Sequence, residues 1–169
     1  MPPTWRPALD PKVIERVLNQ ETFLVYQHVL VPTDGTELSK QAIVKALEVA
    51  KQLGARVTVL RVSGKPVNLV VMGLDLTALP DDIRARITQE IEDHFSWVKE
   101  QAVKAGVDCE TVRAEAEQPW RGILDTAKER GCDLIAMASH GRSGISAKLI
   151  GSETQKVLVH SEIPVLVLR

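Results

Sequence analysis

From His28 onward, short runs of aliphatic and β-branched residues alternate with longer stretches in which apolar positions recur every three or four residues. That alternation predicts repeated βα units around a parallel sheet. Val29-Leu30-Val31 is continuously apolar, as a strand covered on both faces should be. After a turn at Asp34-Gly35, the spacing of Ala42, Ile43, Ala46, Leu47, Ala50 and Leu53 predicts a helix, with Gly54 as its left-handed stop. Val57 to Leu60 predicts a second strand, and Ser63 to Pro80, which mixes Gly, Pro, Asn and Asp without a period, reads as a loop. Asp81 and Asp82 open a long helix where acids suit the dipole, and Ile83, Ile87, Ile91, Phe95 and Val98 form its apolar stripe up to Gly106. Cys109 to Ala114 is a weaker, alternating strand. Pro119 stands near the start of a short helix carrying Ile123, Leu124 and Ala127, which Gly131 closes. Leu134 to Ala138 is a fourth strand, Ser152 to about Ser161 a last helix, and Val165 to Leu168 a fifth strand.

Five parallel strands with right-handed crossovers make a small doubly wound α/β sheet, for which 3-2-1-4-5 is the common spatial order. In that order strands one and four are neighbours and their helices leave toward opposite faces. A crevice then opens at their carboxyl ends, with Asp34 and the segment after Ala138 facing each other across it.

Composition narrows the classes of function. The chain has 169 residues, 44% of them hydrophobic and 25% charged, which suits one compact domain, over residues 28–169 where the βα pattern runs, preceded by an extension over residues 1–27. With 21 Lys and Arg against 22 Asp and Glu, there is no basic footprint for nucleic acid or an anionic membrane. Trp5, Trp97 and Trp120 show no stacking pattern with basic neighbours, which also argues against RNA. Cys109 and Cys132 lack CxxC spacing and nearby His pairs, so both read as reduced thiols rather than a disulfide or zinc site. No run approaches the roughly 18 apolar residues of a membrane helix, and a cytoplasmic location is expected.

The chemistry concentrates between the fourth strand and the last helix, in Ala138-Ser139-His140-Gly141-Arg142-Ser143-Gly144 and, beyond Ile150, Gly151-Ser152-Glu153-Thr154. Glycines permit close backbone approach to a ligand, and the unspent amides of a helix start bind phosphate without net basic charge. The Ser152 and Thr154 hydroxyls and Arg142 or Lys148 would add donors and charge. An alternative stands beside this: Ser152-Glu153-Thr154-Gln155 also fits a capping box, with Ser152 bonded to the Gln155 amide. Asp34 likewise has two readings, as a ligand contact or as the cap of the helix beginning near Thr36. His140 lacks a nucleophile or acid at recognisable spacing and reads as ordering its loop rather than as a base.

Pro32-Thr33-Asp34-Gly35-Thr36, Ser139 to Gly144, Gly151-Ser152 and the closing Ile163-Pro164-Val165-Leu166-Val167 together resemble the universal stress protein family over roughly His28 to Arg169. The nucleotide-binding branch of that family carries Gly-x2-Gly-x9-Gly-[Ser/Thr], with the ribose and phosphates of ATP on this loop. Here Gly141, the spacer Arg142 to Ile150, and Gly151-Ser152 match that pattern. Ala138 replaces the first glycine, and Glu153 replaces a usually apolar residue. One methyl group narrows the approach to the ribose, and an acid in the first turn would repel phosphate.

The resemblance implies an adenine-nucleotide site for ATP, with or without Mg2+. Pro32, Thr33, Asp34, Val62, Met137, Ala138, His140, Gly141, Arg142, Gly144, Gly151, Ser152, Glu153 and Thr154 would line it, and Leu60 to Val62 would offer apolar surface to the adenine. No positioned base, arginine finger or metal cluster is recognisable, so hydrolysis would be slow at most. The expected role is a stress-response regulator or sensor. The alternative is a nucleotide-independent homodimeric interaction module of the same fold. A homodimer is expected through an antiparallel pairing of the edge strand Val165 to Leu168. Val25 stands where similar proteins often begin with Met.

Overall fold

The computed structural model describes residues 26–64, 80–139 and 150–169. Among them lie five strands and four helices, in the order β1 (His28–Pro32), α1 (Glu37–Leu53), β2 (Arg56–Gly64), α2 (Asp81–Ala105), β3 (Cys109–Ala116), α3 (Pro119–Glu129), β4 (Leu134–Ala138), α4 (Ser152–His160) and β5 (Val165–Leu168). All neighbouring strands pair in parallel, in the order β3-β2-β1-β4-β5. The expected doubly wound sheet is therefore present. In register, Leu30 sits between Thr58 and Ile135, which puts β1 at the centre.

The continuous apolar runs have the predicted cause, because each strand feeds two cores. Val29, Val31, Val57, Val59, Leu134 and Ala136 point to one face, where Ile43, Ala46, Leu47 and Ala50 of α1 and Val98 and Ala102 of α2 cover them. Leu30, Leu60, Ile135 and Met137 point to the other, under Ile123 and Ala127 of α3 and Val157 of α4. Thus α1 and α4, which follow the adjacent strands β1 and β4, lie on opposite faces. The two thiols are likewise separated by the sheet: Cys109 packs beside the first core and Cys132 within the second. Both are free, and burial pushes each up to about 11.

Helix ends follow local chemistry. Thr36 caps α1 by accepting a hydrogen bond from the Ser39 amide, and Gly54 stops it in the left-handed conformation at φ 66°. Pro119 opens α3, where its missing N–H costs nothing. At the amino end of the sheet, the Asp133 carboxylate accepts from the amides of Gln27 and His28. Beside it the His28 ring meets the Thr58 hydroxyl, which donates to Glu110, itself paired with Arg130.

Two expectations are corrected. The second strand runs on to Gly64, because Arg61 to Gly64 pair with Arg113 to Ala116 on an outer part of the sheet where polar side chains mask the strand pattern. The apolar stripe of α2 is buried only at Phe95, Val98 and Ala102; Ile83 and Ile87 are 39% and 43% exposed. Residues 81–90 are exposed throughout, so that the first ten of the 25 residues of α2 lie beyond the described core. The loop expected over Ser63 to Pro80 falls largely outside the described residues, as does the extension up to residue 25.

Candidate ligand site at the carboxyl ends of the strands

β1 and β4 are neighbours that end at Pro32 and Ala138, and the helices that follow them lie on opposite faces of the sheet. The resulting cavity is about 370 Å3 in volume. Pro32, Thr33, Asp34, Val62, Met137, Ala138, Gly151, Ser152, Glu153 and Thr154, ten of the residues singled out in the sequence, line it together. His140, Gly141, Arg142 and Gly144 lie outside the described residues, as does Lys148.

On the β1 side, the Thr33 amide donates to the Leu60 carbonyl at 2.8 Å, continuing the sheet by one bond. The chain then turns sharply at Gly35, whose φ of +80° favours glycine. Asp34 Oδ1 accepts from both the amide and the hydroxyl of Thr36, at 3.0 and 2.6 Å. Of the two readings of Asp34, the capping one is corrected: Thr36 is the cap, and Asp34 braces it while lining the cavity.

Beneath this turn the Thr33 hydroxyl meets Ser39 Oγ and His94 Nε2, each at 3.0 Å, and receives the Gly35 amide. Hydrogen-bond accounting fixes the ring tautomer. Ser39 donates to the Thr36 carbonyl, so it accepts from Thr33, and Thr33 in turn accepts from a protonated His94 Nε2. Nδ1 is left as a buried lone pair without a partner. Burial first, then the charges of Arg61 and Lys40, lower the pKa of His94, while Asp34 opposes them. The ring also stacks on Trp97, its centroid 5.9 Å away.

On the β4 side, two bonds clasp the start of α4 to the end of β4. The Gly151 amide donates to the Ser139 carbonyl at 2.7 Å, and the Thr154 hydroxyl donates to the Ala138 carbonyl at 3.0 Å. Two expectations change here. The helix is capped by Gly151 with no side-chain bond, so Ser152 forms no capping box with Gln155, whose amide reaches the Gly151 carbonyl instead. The Thr154 hydroxyl is spent on the backbone, which leaves Ser152 as the exposed hydroxyl of this turn. The amides of Ser152, Glu153 and Thr154 precede the first intrahelical bond and are the donors an anion would use.

Glu153 has a role that the sequence did not disclose. Its Oε2 accepts from the Trp120 amide at 2.9 Å and its Oε1 pairs with Lys156 at 2.8 Å, so it bonds the first turn of the neighbouring α3. Trp120 stacks on His160 of α4, which joins the two helices again.

Leu60 and Arg61, from the run expected to face the adenine, line it too, and the lining is completed by Ser39, Pro119 and Ile123. Sequence reasoning gave these last three residues structural roles or none. His94 could have been noticed, since it falls three residues after Ile91 on the stripe that carries Phe95. Among the described residues, no group of three or more His, Cys, Asp or Glu side chains is placed to hold a metal ion, and no helix is long and apolar enough to cross a membrane.

Comparison with known proteins places these features in context. The family model described as the universal stress protein family matches residues 25–169. The universal stress protein YxiE of Bacillus subtilis is 33% identical over 149 residues, covering 86% of this chain and all of that protein. The solved structure of MJ0577 from Methanocaldococcus jannaschii superimposes with a TM-score of 0.66 at 25% identity, over 85% of this chain and 95% of that one. A universal stress protein solved in complex with cAMP has a TM-score of 0.62 at 23% identity, covering 85% and 97% of the two chains.

Proposed function

The chain belongs to the universal stress protein family, and from that premise we propose that it binds an adenine nucleotide between β1 and β4 and acts as a cytoplasmic stress-response regulator. The observation that carries this reading is the unspent amino end of α4, with the amides of Ser152, Glu153 and Thr154, at a cavity that Asp34 lines from the opposite strand. A phosphate would sit on those amides, where the helix dipole favours negative charge. Asp34 would accept from the ribose or the base, and Leu60, Val62, Ile123 and Met137 would give the ring apolar surface. ATP is among the candidate nucleotides, and Mg2+ would enter with its phosphate oxygens. Cyclic AMP in a relative of the same fold supports the adenosine assignment.

Occupancy would matter through a homodimer. β5 is an edge of the sheet in the observed order, and Val159 of the preceding helix is 76% exposed. Antiparallel pairing of Val165 to Leu168 with its symmetry mate would satisfy that edge.

Calorimetric titration of nucleotide-stripped protein with AMP, cyclic AMP and ATP, with and without Mg2+, tests the proposal. Saturable heat is expected, together with a rise in melting temperature corresponding to about 2.7 kcal/mol at a hundredfold excess over Kd. Gly151→Val, which puts a branched side chain into the cavity wall, should abolish both. No response at millimolar ligand would leave the nucleotide-independent homodimeric module as the function of this fold.

A further inference from the structure

We propose that Glu153 sets how many phosphates the cavity accepts, favouring a nucleoside monophosphate over the triphosphate. The inference rests on the nucleotide reading above and names its ligand class.

Two helix amino ends converge on the cavity, through Pro119 of α3 and through Gly151 to Thr154 of α4. Each is a place where backbone amides and the helix dipole attract an anion. At α3 that place is filled. Gln118 makes no side-chain cap bond, Pro119 has no N–H, and the amides of Arg121 and Gly122 turn back to the Gln118 carbonyl. The Trp120 amide remains, and Glu153 Oε2 accepts from it at 2.9 Å. A carboxylate of the protein thus holds the position that a second phosphate, extending from the first turn of α4, would seek. Lys156, 2.8 Å from the other oxygen, offsets part of its charge.

One phosphate on the α4 amides meets unspent donors. Each further phosphate extending toward α3 brings more negative charge to Glu153, inside a cavity where water screens less than in bulk, while Arg61, a cation that also lines the cavity, stands on the other side beside the Gly35 turn.

The test measures the ratio of ATP to AMP dissociation constants by calorimetry without Mg2+, with adenosine as the uncharged control, in wild type, Glu153→Gln and Lys156→Met. Glutamine keeps an acyl oxygen for the Trp120 amide, and melting temperatures confirm that each variant is folded. Wild type should prefer AMP by about tenfold, a modest share of the repulsion between two close charges. Glu153→Gln should narrow that ratio severalfold by tightening ATP, and Lys156→Met should widen it. A purely structural clamp would not produce these opposite signs. ATP bound at least as tightly as AMP by wild type, or both ligands shifted by one common factor in the variants, would overturn the inference while leaving the nucleotide site standing. Failure of adenosine, AMP and ATP alike would overturn both.

Discussion

His28 and His94 each give a ring N–H to a threonine hydroxyl, at opposite ends of the sheet. For His28 the argument is the one made for His94: Thr58 donates to Glu110, so it accepts from His28 Nε2. Nδ1 of each ring is buried without a hydrogen-bond partner, so a second proton there would go unsatisfied and both rings favour the neutral form. Burial, followed by Arg56 for His28 and by Arg61 and Lys40 for His94, lowers both from the ordinary 6.5. Because the folded pKa values lie below the unfolded ones, the unfolded chain takes up protons first as pH drops through 6.5. Stability is thus complete above that value and is lost progressively below it. Thermal melts from pH 8 to 5 should show a decline beginning near 6.5, shallower in His28→Asn and His94→Asn. An unchanged slope in both variants would assign the decline to other groups. Neither pairing was legible in the sequence, since His28 and Thr58, or Thr33 and His94, meet only once the strands are in register. Asp34, Thr154 and Gly151 were legible as cavity residues because short motifs at strand ends carry them there. What each side chain bonds to was not.

The contact of α3 with the sheet depends on a missing side chain. A Cβ at Gly122 would lie 2.8 Å from Val62 Cγ1 and 2.9 Å from the Ala116 Cβ, closer than such atoms pack. Gly122→Ala should cost about 1 to 3 kcal/mol by overpacking, measured in urea. It should also weaken nucleotide binding, because Val62 lines the cavity and would be pressed toward it. A variant as stable as wild type would mean that α3 shifts away freely. Elements with one environment along their length were readable: β4 and β5 begin and end where their apolar runs do. Elements that pass from core to surface were not. The outer part of β2 alternates polar groups along its pairing with β3, and α2 keeps its apolar period over ten residues that are exposed. Periodicity reports which face could be buried, whereas the length of the sheet decides how much of it is.

Across the whole molecule, the order of the apolar runs and the handedness of parallel crossovers point to a doubly wound sheet but do not by themselves fix the spatial order of its strands; 3-2-1-4-5 was the common solution, and the strand pairing shows it. Strand order in turn decides which strand is left without a neighbour. Sedimentation at micromolar concentration should show a dimer, and Val167→Pro, which removes a backbone donor from β5, should shift it toward monomer; a wild-type monomer would reject the pairing. The clasp at Ser139 and Gly151 has a different consequence. By joining the two ends of the intervening stretch, it separates where α4 stands from what that stretch contains. Doubling a closed segment adds only about 0.6 kcal/mol of entropy cost. Exchanging residues 140–149 for a stretch of another length should therefore leave α4 where it stands, as an unchanged melting temperature and circular dichroism spectrum would show.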